Sequence, residues 1–288
     1  MPYCAAERST LFYFEGEEDM PYAKVNDITL YYEIHGEGEP IILINGLGTS
    51  STSLLRYIPI FTNEYKAVFL DTRGTGRSDK PDIPYTMEMM ADDIKGLLDC
   101  VGIQAAHIYG ISMGGIVAQH FGLRYPTRTL SLILACTSFG GPHAIQQNDE
   151  DMNEQADTES NTNEKEMWKA LLRLTMSDKF INENPGIINE FIASLMEYPT
   201  PPHGFLRQRQ AIENHDTYDR LPEVITPTLV IHGDIDRLTP VENAKIMASR
   251  IPNAELVIFD NMGHGFWIEA FDETNRVILD FLKRHSQK

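Results

Sequence analysis

Short apolar runs alternate with longer amphipathic stretches along most of the 288-residue chain. The short runs are rich in Ile, Val, Leu and Phe, and they predict strands at positions 28–34, 41–45, 67–70, 107–110, 130–135, 228–231 and 255–259. Strands that are apolar along their whole length and separated by helices are typical of a parallel sheet covered on both faces. The pattern therefore predicts an α/β fold, with a mostly parallel twisted sheet of about eight strands covered by helices.

The clearest helical pattern follows the third predicted strand. Met90, Ile94, Leu97 and Val101 recur at helical spacing, and Thr86 stands where an N-cap is expected. A second stripe near the C-terminus predicts another helix, with its apolar face formed by Ile268, Phe271, Ile278, Phe281 and Leu282.

The first predicted strand, 28–34, differs from the others in its connection to the next strand. Residues 35–40 form this connection, which suits a hairpin and is too short for the helical crossover between parallel neighbours. We therefore expect the N-terminal edge of the sheet to be antiparallel.

The alternation of strands and helices breaks between positions 139 and 218. Residues 148–166 are almost wholly polar and acidic, which predicts a mobile loop. Helical patterns then follow, and the next strand pattern begins only at Thr228. These helical patterns lie at 167–175, 187–196 and 204–214.

This break suggests a division of the chain into domains. We interpret 139–218 as a helical cap, or lid, inserted into a core domain made of 21–138 and 219–288. The first residues, 1–20, lack the pattern of a signal peptide, and we interpret them as a flexible extension.

The composition of the chain argues against some classes of binding partner. The formal net charge is −18, from 42 acidic and 24 basic side chains. A field of this sign repels nucleic acid and anionic membranes, so we expect neither as a partner. No apolar run reaches the length of about 18 residues that a membrane span requires. The three cysteines, Cys4, Cys100 and Cys136, lack the spacing of a disulfide framework, which favours free thiols and a cytoplasmic location.

The segment 110–114, Gly-Ile-Ser-Met-Gly, carries the first candidate for chemistry. It follows the strand pattern 106–111 and precedes a helical pattern through Ile116, Val117 and Phe121. A strand, a tight turn and a helix are the setting of a nucleophile elbow, in which glycines flank an exposed serine. An ordinary glycine-rich turn would have the same composition, but the strand and helix around it favour Ser112 as a nucleophile.

A serine nucleophile needs a base that removes its proton and an acid that orients the base. Asp234 and Asp236 follow the strand 228–231, and His264 follows the strand 255–259. The candidates thus come in the order Ser, Asp, His, on loops that leave strands, where the sites of open α/β sheets gather.

Several motifs together resemble the α/β-hydrolase superfamily over nearly the whole chain. They are Asn-Gly-Leu-Gly at 45–48, Asp-Thr-Arg-Gly-Thr-Gly-Arg-Ser at 71–78, the elbow at 110–114, Gly-Asp-Ile-Asp at 233–236 and Gly-His at 263–264. In this family the acid lies three residues after the glycine, so the resemblance implies Asp236 as the acid, beside Ser112 and His264. We expect the segment 71–78 to be mainly structural.

The resemblance also implies an oxyanion hole, built from the backbone N–H groups of Leu47 and Met113. It implies no cofactor and no metal. One departure from the family pattern is Asn45, which stands where a histidine is common. We expect a changed hydrogen bond there and intact chemistry.

The function implied by the resemblance is hydrolysis of a carboxylic ester or lactone of a small to medium apolar substrate. Carbon–carbon bond hydrolysis and perhydrolase activity use the same apparatus and remain open. So do acyl transfer to an alcohol and a noncatalytic receptor built on this fold. We expect the cap helices to roof the pocket, with His203 or His215 as residues that could face it. A homo-oligomer is possible.

Overall fold

A computed structural model of the protein describes residues 22–160 and 163–286. The predicted flexible extension, 1–20, lies outside the described residues. None of the helices in the described part is both long enough and apolar enough to span a membrane.

The described residues form one eight-stranded sheet in the order β1-β2-β4-β3-β5-β6-β7-β8. Its strands are β1 (Tyr22–Val25), β2 (Ile28–His35), β3 (Glu39–Ile44), β4 (Tyr65–Leu70), β5 (Ala106–Ile111), β6 (Thr129–Ala135), β7 (Thr228–Gly233) and β8 (Ala254–Phe259). β2 pairs antiparallel with both of its neighbours, β1 and β4, and all the other neighbouring strands pair parallel. The predicted fold class is confirmed.

The antiparallel edge is present, but the predicted hairpin across 35–40 is wrong. β4 lies between β2 and β3, so the two strands that this connection joins are not neighbours. The hairpin at this edge instead joins β1 to β2, where Val25 pairs with Ile28 and Asn26 adopts a left-handed φ of 48°. Asparagine tolerates this conformation, which suits a tight hairpin turn.

Helices cover the sheet. They are α1 (Ile58–Phe61), α2 (Met87–Cys100), α3 (Met113–Arg124), α4 (Asp149–Glu159), α5 (Glu164–Thr175), α6 (Asp178–Glu183), α7 (Pro185–Glu197), α8 (Pro202–Glu213), α9 (Glu242–Arg250), α10 (Phe266–Glu269) and α11 (Phe271–His285). Short 3₁₀ helices occupy Ser51–Tyr57, Pro126–Arg128 and Tyr218–Glu223. Thr86 caps α2 as expected, because its side chain accepts a hydrogen bond from the N–H of Met89.

Side chains alternate between two apolar clusters, one on each face of the sheet. Ile42 and Ile44 of β3 belong to the cluster that packs against α2, α3 and α9. Ile41 and Leu43 belong to the opposite cluster, which includes residues of α5, α7 and α11. Because both faces are buried, every residue of β5 is buried as well. The residue that follows β5, Ser112, therefore stands at the centre of the sheet's carboxyl edge.

The acidic stretch 148–166, predicted as a mobile loop, is instead mostly helical. Asn148 caps α4 through its side chain, which accepts a hydrogen bond from the N–H of Asp151 at 2.8 Å. Acidic residues fill the first turn of α4, where the helix dipole favours negative charge. Arg237 then pairs with both Asp151 and Glu154 at 2.5 Å. The helix is thus stabilised by its cap and by a distant arginine, and neither depends on an apolar pattern.

The helices α4 to α8, which we call the inserted helices, all lie between β6 and β7. Three of them, α5, α7 and α8, match the helical patterns predicted from the sequence. The chain leaves the sheet and returns to it at one place, because Gly140 bridges Asp216 and the N–H of Thr217 donates to the carbonyl of Phe139 at 2.8 Å. This closure supports our proposal that 139–218 is a cap on a core domain.

Candidate active site

Ser112 occupies a strained turn between β5 and α3. Its φ of 55° and ψ of −118° lie outside the regions that L-residues favour, and such a conformation costs about 1–3 kcal/mol. The turn is closed by backbone contacts. A Cβ on Gly110 would lie 2.1 Å from the carbonyl oxygen of Gly114, and a Cβ on Gly114 would lie 2.1 Å from that of Ile44. The two glycines of the predicted elbow are therefore required by this geometry.

Asp236 is the carboxylate that contacts His264. Its Oδ2 lies 2.7 Å from Nδ1 of His264, and the two residues are 7% and 9% exposed. The N–H groups of Leu238 and Thr239 both donate to the other carboxylate oxygen at 2.9 Å, which fixes the side chain after β7. Asp234, the other candidate, is exposed and accepts a hydrogen bond from the N–H of Met262 at 3.2 Å.

The charges of this pair stabilise each other. Burial favours the neutral form of Asp236, but the charge of His264 and the hydrogen bonds from His232 and His264 outweigh burial and hold the pKa of Asp236 well below its ordinary value. Burial likewise opposes the charged form of His264. Asp236 and the nearby Cys136 outweigh it, and the pKa of His264 rises well above its ordinary 6.5. The imidazole is thus prepared to accept a proton.

His232 is a member of this cluster that the sequence did not single out. Its Nε2 lies 3.1 Å from Oδ2 of Asp236 and 2.7 Å from the carbonyl oxygen of Thr239. Both partners accept, so Nε2 carries the proton and donates to them. The only signal in the sequence is position: His232 is the penultimate residue of β7 and precedes Asp236 by four residues.

Ser112 and His264 line the same cavity, which has a volume of about 550 Å³. Within the described ranges no hydrogen bond joins their side chains. Catalytic hydrogen bonds are often long in unliganded enzymes and shorten only in the complex with substrate. The structure therefore brings His264 and Ser112 into one cavity without a hydrogen bond between their side chains.

The two predicted oxyanion donors also lie at this cavity, because Leu47 and Met113 both contribute to its lining. Gly46, next to Leu47, packs against Ser112: a Cβ on Gly46 would lie 3.5 Å from that of Ser112. In the described part of the chain, the N–H groups of Leu47 and Met113 do not donate to a protein acceptor. Met113 is the first residue of α3, and the turn at Gly46 is closed by the N–H of Thr49, not by that of Leu47. Both N–H groups thus remain available to an oxyanion.

Asn45, which stands where a histidine is common in the family pattern, takes part in a hydrogen bond within the protein. The side chain is buried, and its Oδ1 accepts from the hydroxyl of Ser53 at 3.4 Å. Of the two histidines that could face the pocket, His215 lines the cavity, whereas His203 contacts the carbonyl of Lys80 at 3.0 Å instead. Among residues 22–160 and 163–286, no group of three His, Cys, Asp or Glu side chains is arranged to hold a metal ion.

The inserted helices line the cavity that Ser112 also lines. Four of them contribute side chains at helical spacing, so each helix presents one face to the cavity. These side chains are Met152, Gln155 and Glu159 from α4, Trp168, Leu171, Leu172 and Thr175 from α5, Phe191 and Leu195 from α7, and Phe205, Arg209, Ile212 and Glu213 from α8.

Comparisons with known proteins agree with this architecture. The family model described as "alpha/beta hydrolase fold" matches residues 39–271. A relative from Dechloromonas aromatica, named 2-hydroxy-6-oxononadienedioate/2-hydroxy-6-oxononatrienedioate hydrolase 1, is 30% identical over 89% of this chain and 91% of its own length.

Two solved structures are similar over almost their whole length. The enol-lactonase of Burkholderia xenovorans LB400 has a TM-score of 0.80 and 25% identity, covering 91% of this chain and 100% of that one. A thermophilic esterase from Thermogutta terrifontis has a TM-score of 0.77 and 26% identity, covering 90% of this chain and 95% of that one. With a family model that matches most of its length, the chain belongs to the α/β-hydrolase fold family, whose members among these relatives are hydrolases.

Proposed function

We propose that the protein hydrolyses a carboxylic ester or lactone through an acyl-enzyme, with Ser112 as nucleophile, His264 as base and Asp236 as the acid that orients the base. The observation that carries this proposal is the 2.7 Å contact between buried His264 and Asp236 at the cavity that Ser112 also lines. The similar enol-lactonase and esterase act on substrates of this class by their names.

In the first half of the proposed reaction, the hydroxyl oxygen of Ser112 attacks the carbonyl carbon. His264 takes the hydroxyl proton, and Asp236 stabilises the imidazolium that forms. The N–H groups of Leu47 and Met113 hold the negative oxygen of the tetrahedral intermediate. The intermediate collapses when His264 returns the proton to the leaving alcohol, which leaves an acyl group on Ser112.

In the second half, water replaces the alcohol. His264 removes a proton from the water molecule as it attacks the acyl carbon, and then protonates Ser112 as the ester bond to the enzyme breaks. The products are the free carboxylic acid and the regenerated serine. For a lactone both products belong to one molecule, a hydroxy acid.

The cavity sets the size of the substrate. A volume of about 550 Å³ accommodates a small or medium molecule, and the aromatic and aliphatic side chains of α5 and α7 offer it an apolar surface. We propose that the inserted helices act as the cap that determines which acyl and alcohol groups are accepted.

A panel of p-nitrophenyl esters, lactones and vinylogous diketones tests the proposal. We expect turnover of esters or lactones by the wild-type protein, and loss of at least about 10³-fold in kcat for Ser112→Ala, as for other triad serines. Ser249→Ala, which changes an exposed serine of α9, is the matched control.

Other outcomes point to other functions. Cleavage of the diketones alone would indicate a carbon–carbon bond hydrolase. A single slow turnover without release would indicate a receptor. Labelling by a fluorophosphonate that persists in Ser112→Ala would show that another residue is the nucleophile.

A further inference from the structure

The charged side chains of the cavity lie together on one side. Apart from histidines, the charged residues that line it in the described ranges are Glu159 of α4 and Arg209 and Glu213 of α8. Arg209 pairs with both: its Nη1 contacts Glu159, and its Nε lies 3.3 Å from Glu213. The charge of Arg209 is therefore already neutralised, and the three residues together carry a net negative charge.

The geometry of α4 holds this arrangement in place. Gln155 and Glu159 lie one turn apart on the cavity face of the helix, and the amide of Gln155 donates to Glu159 at 2.8 Å. The side chain of Glu159 is only 15% exposed, whereas those of Arg209 and Glu213 are 39% and 60% exposed, so the cluster runs from the cavity out to the solvent. We call Gln155, Glu159, Arg209 and Glu213 the polar wall.

The same cavity also has an apolar surface. Trp168 and Leu172 of α5 and Phe191 and Leu195 of α7 contribute to it, together with Trp267 after β8. A ligand that fills the cavity therefore meets both an aromatic and aliphatic surface and the polar wall. This division favours an amphipathic molecule.

The charge of the polar wall determines which polar group it accepts. A carboxylate at the polar wall would lie next to two other carboxylates, and Arg209 is already shared between these two, so it offers no free ion pair to a third. A hydroxyl, amide or ammonium group can instead donate hydrogen bonds to Glu159 and Glu213.

We propose that the polar wall makes the protein selective for substrates in which the group that meets this wall is uncharged or cationic, and that it rejects substrates that place a carboxylate there. As a statement about substrates, the inference rests on the proposed ester or lactone hydrolysis. As a statement about binding, it is independent of turnover.

The test uses phenyl esters of one linear acid whose far end carries a carboxamide, a carboxylate or a primary ammonium. Binding is measured with Ser112→Ala, in which hydrolysis does not interfere, and kcat/KM is measured with the wild-type enzyme. We expect the carboxylate to bind at least about tenfold more weakly than the carboxamide, since like charges a few ångströms apart repel strongly at a partly buried site.

Two variants should change the preference for the carboxamide over the carboxylate in opposite directions. The double variant Glu159→Gln, Glu213→Gln frees Arg209, and we expect it to bind the carboxylate at least as well as the carboxamide. Arg209→Met leaves both carboxylates unpaired, and we expect it to weaken the carboxylate further and to strengthen the ammonium compound. Glu190→Gln, on an exposed position of α7 that does not line the cavity, is a control for a change in net charge of one unit, half of that in the double variant.

Equal binding of the carboxylate and the carboxamide by Ser112→Ala would overturn the inference. So would a shift in Glu190→Gln as large as that in the double variant, because it would trace the preference to overall charge. If the wild-type enzyme turns over none of the esters, the proposed hydrolysis is wrong. The ratio of carboxylate binding to carboxamide binding still decides whether the polar wall discriminates between these two groups.

Discussion

The Nε2 atom of His232 lies 3.1 Å from Oδ2 of Asp236, and neither side chain reaches solvent. The same oxygen accepts the hydrogen bond from His264 at 2.7 Å. Two histidines thus share one carboxylate oxygen, and the donor from His232 draws negative charge away from the side that faces His264. In the proposed mechanism His232 is a positioning residue, because it acts only through Asp236.

Replacing His232 by Leu removes this donor. We expect kcat/KM to fall by about tenfold, since a hydrogen bond to a charged group contributes about 1.5–3 kcal/mol. The acid limb of the pH–rate profile should move to higher pH, because the less neutralised carboxylate raises the pKa of His264 further. His232→Gln retains an N–H donor and should recover part of both effects. An unchanged profile in His232→Leu would leave this residue with a purely structural role.

The pH dependence of the wild-type rate follows from the raised pKa of His264. The base must be neutral to accept the proton of Ser112, so kcat/KM should increase with pH and reach half of its maximum above pH 6.5, the ordinary value for histidine. This rise should therefore lie above the range of roughly pH 6–7 in which an unperturbed histidine loses its proton. A stopped-assay profile with a neutral ester measures it, and a flat profile across this range would contradict the assignment of His264 as base.

The same pair should contribute to folding stability in a defined pH window. The lowered pKa of Asp236 stabilises the fold above its unfolded value of 3.8. The raised pKa of His264 stabilises it below its unfolded value of 6.5, and this contribution is lost as pH rises through the folded value. Asp236→Asn should therefore cost about 3–5 kcal/mol near pH 5 and clearly less near pH 9. Urea unfolding at the two pH values tests this, and an equal loss at both would exclude the linkage.

The elbow leaves no room for a side chain at Gly114, two residues after Ser112. Gly114→Ala would place a Cβ 2.1 Å from the carbonyl oxygen of Ile44, and we expect a loss of about 2–4 kcal/mol in the free energy of unfolding together with most of the activity. Gly186→Ala is the control, because a Cβ at this position in α7 meets no atom within 4 Å. Equal stability of the two variants would refute the close approach of β3 to the elbow.

The helix α4 depends on Arg237, the residue next to the acid. Because that arginine is partly exposed, we expect Arg237→Ala to change the free energy of unfolding by less than about 1 kcal/mol. Amide exchange within α4 should nevertheless become faster, and the same effect should appear in the wild-type protein at high salt. Arg276→Ala, which removes an exposed pair with Glu273 on α11, should leave the exchange of α4 unchanged.

The features predicted correctly from the sequence are those that leave a local pattern. Strands buried on both faces are apolar along their length, as in β5 and β7, so they could be recognised without knowledge of their neighbours. The segment 110–114 was recognisable because a tight turn between strand and helix requires glycine at fixed positions. The loops that carry Asp236 and His264 follow their strands directly, so the fold class placed both at one edge of the sheet.

The features that were missed depend on partners far along the chain. The position of β4 between β2 and β3 is decided by the path of a crossover, which connection length does not encode. The helicity of α4 depends on Arg237, nearly a third of the chain away, and its acidic composition alone resembles a loop. The contact of His232 with Asp236 depends on how the chain turns after β7, which an isolated histidine in a strand does not indicate.

The junction of Gly140 with Asp216 has a consequence for how this scaffold can change. The two ends of the inserted segment join the sheet at one place, next to the 2.8 Å hydrogen bond between the N–H of Thr217 and the carbonyl of Phe139. An insertion of different length or composition at this place would leave the register of β6 and β7 unchanged, because the pairing of Leu132 with Thr228 lies outside the inserted segment. The proposed catalytic residues on the sheet domain and the selectivity-determining residues on the inserted helices can therefore change independently in evolution.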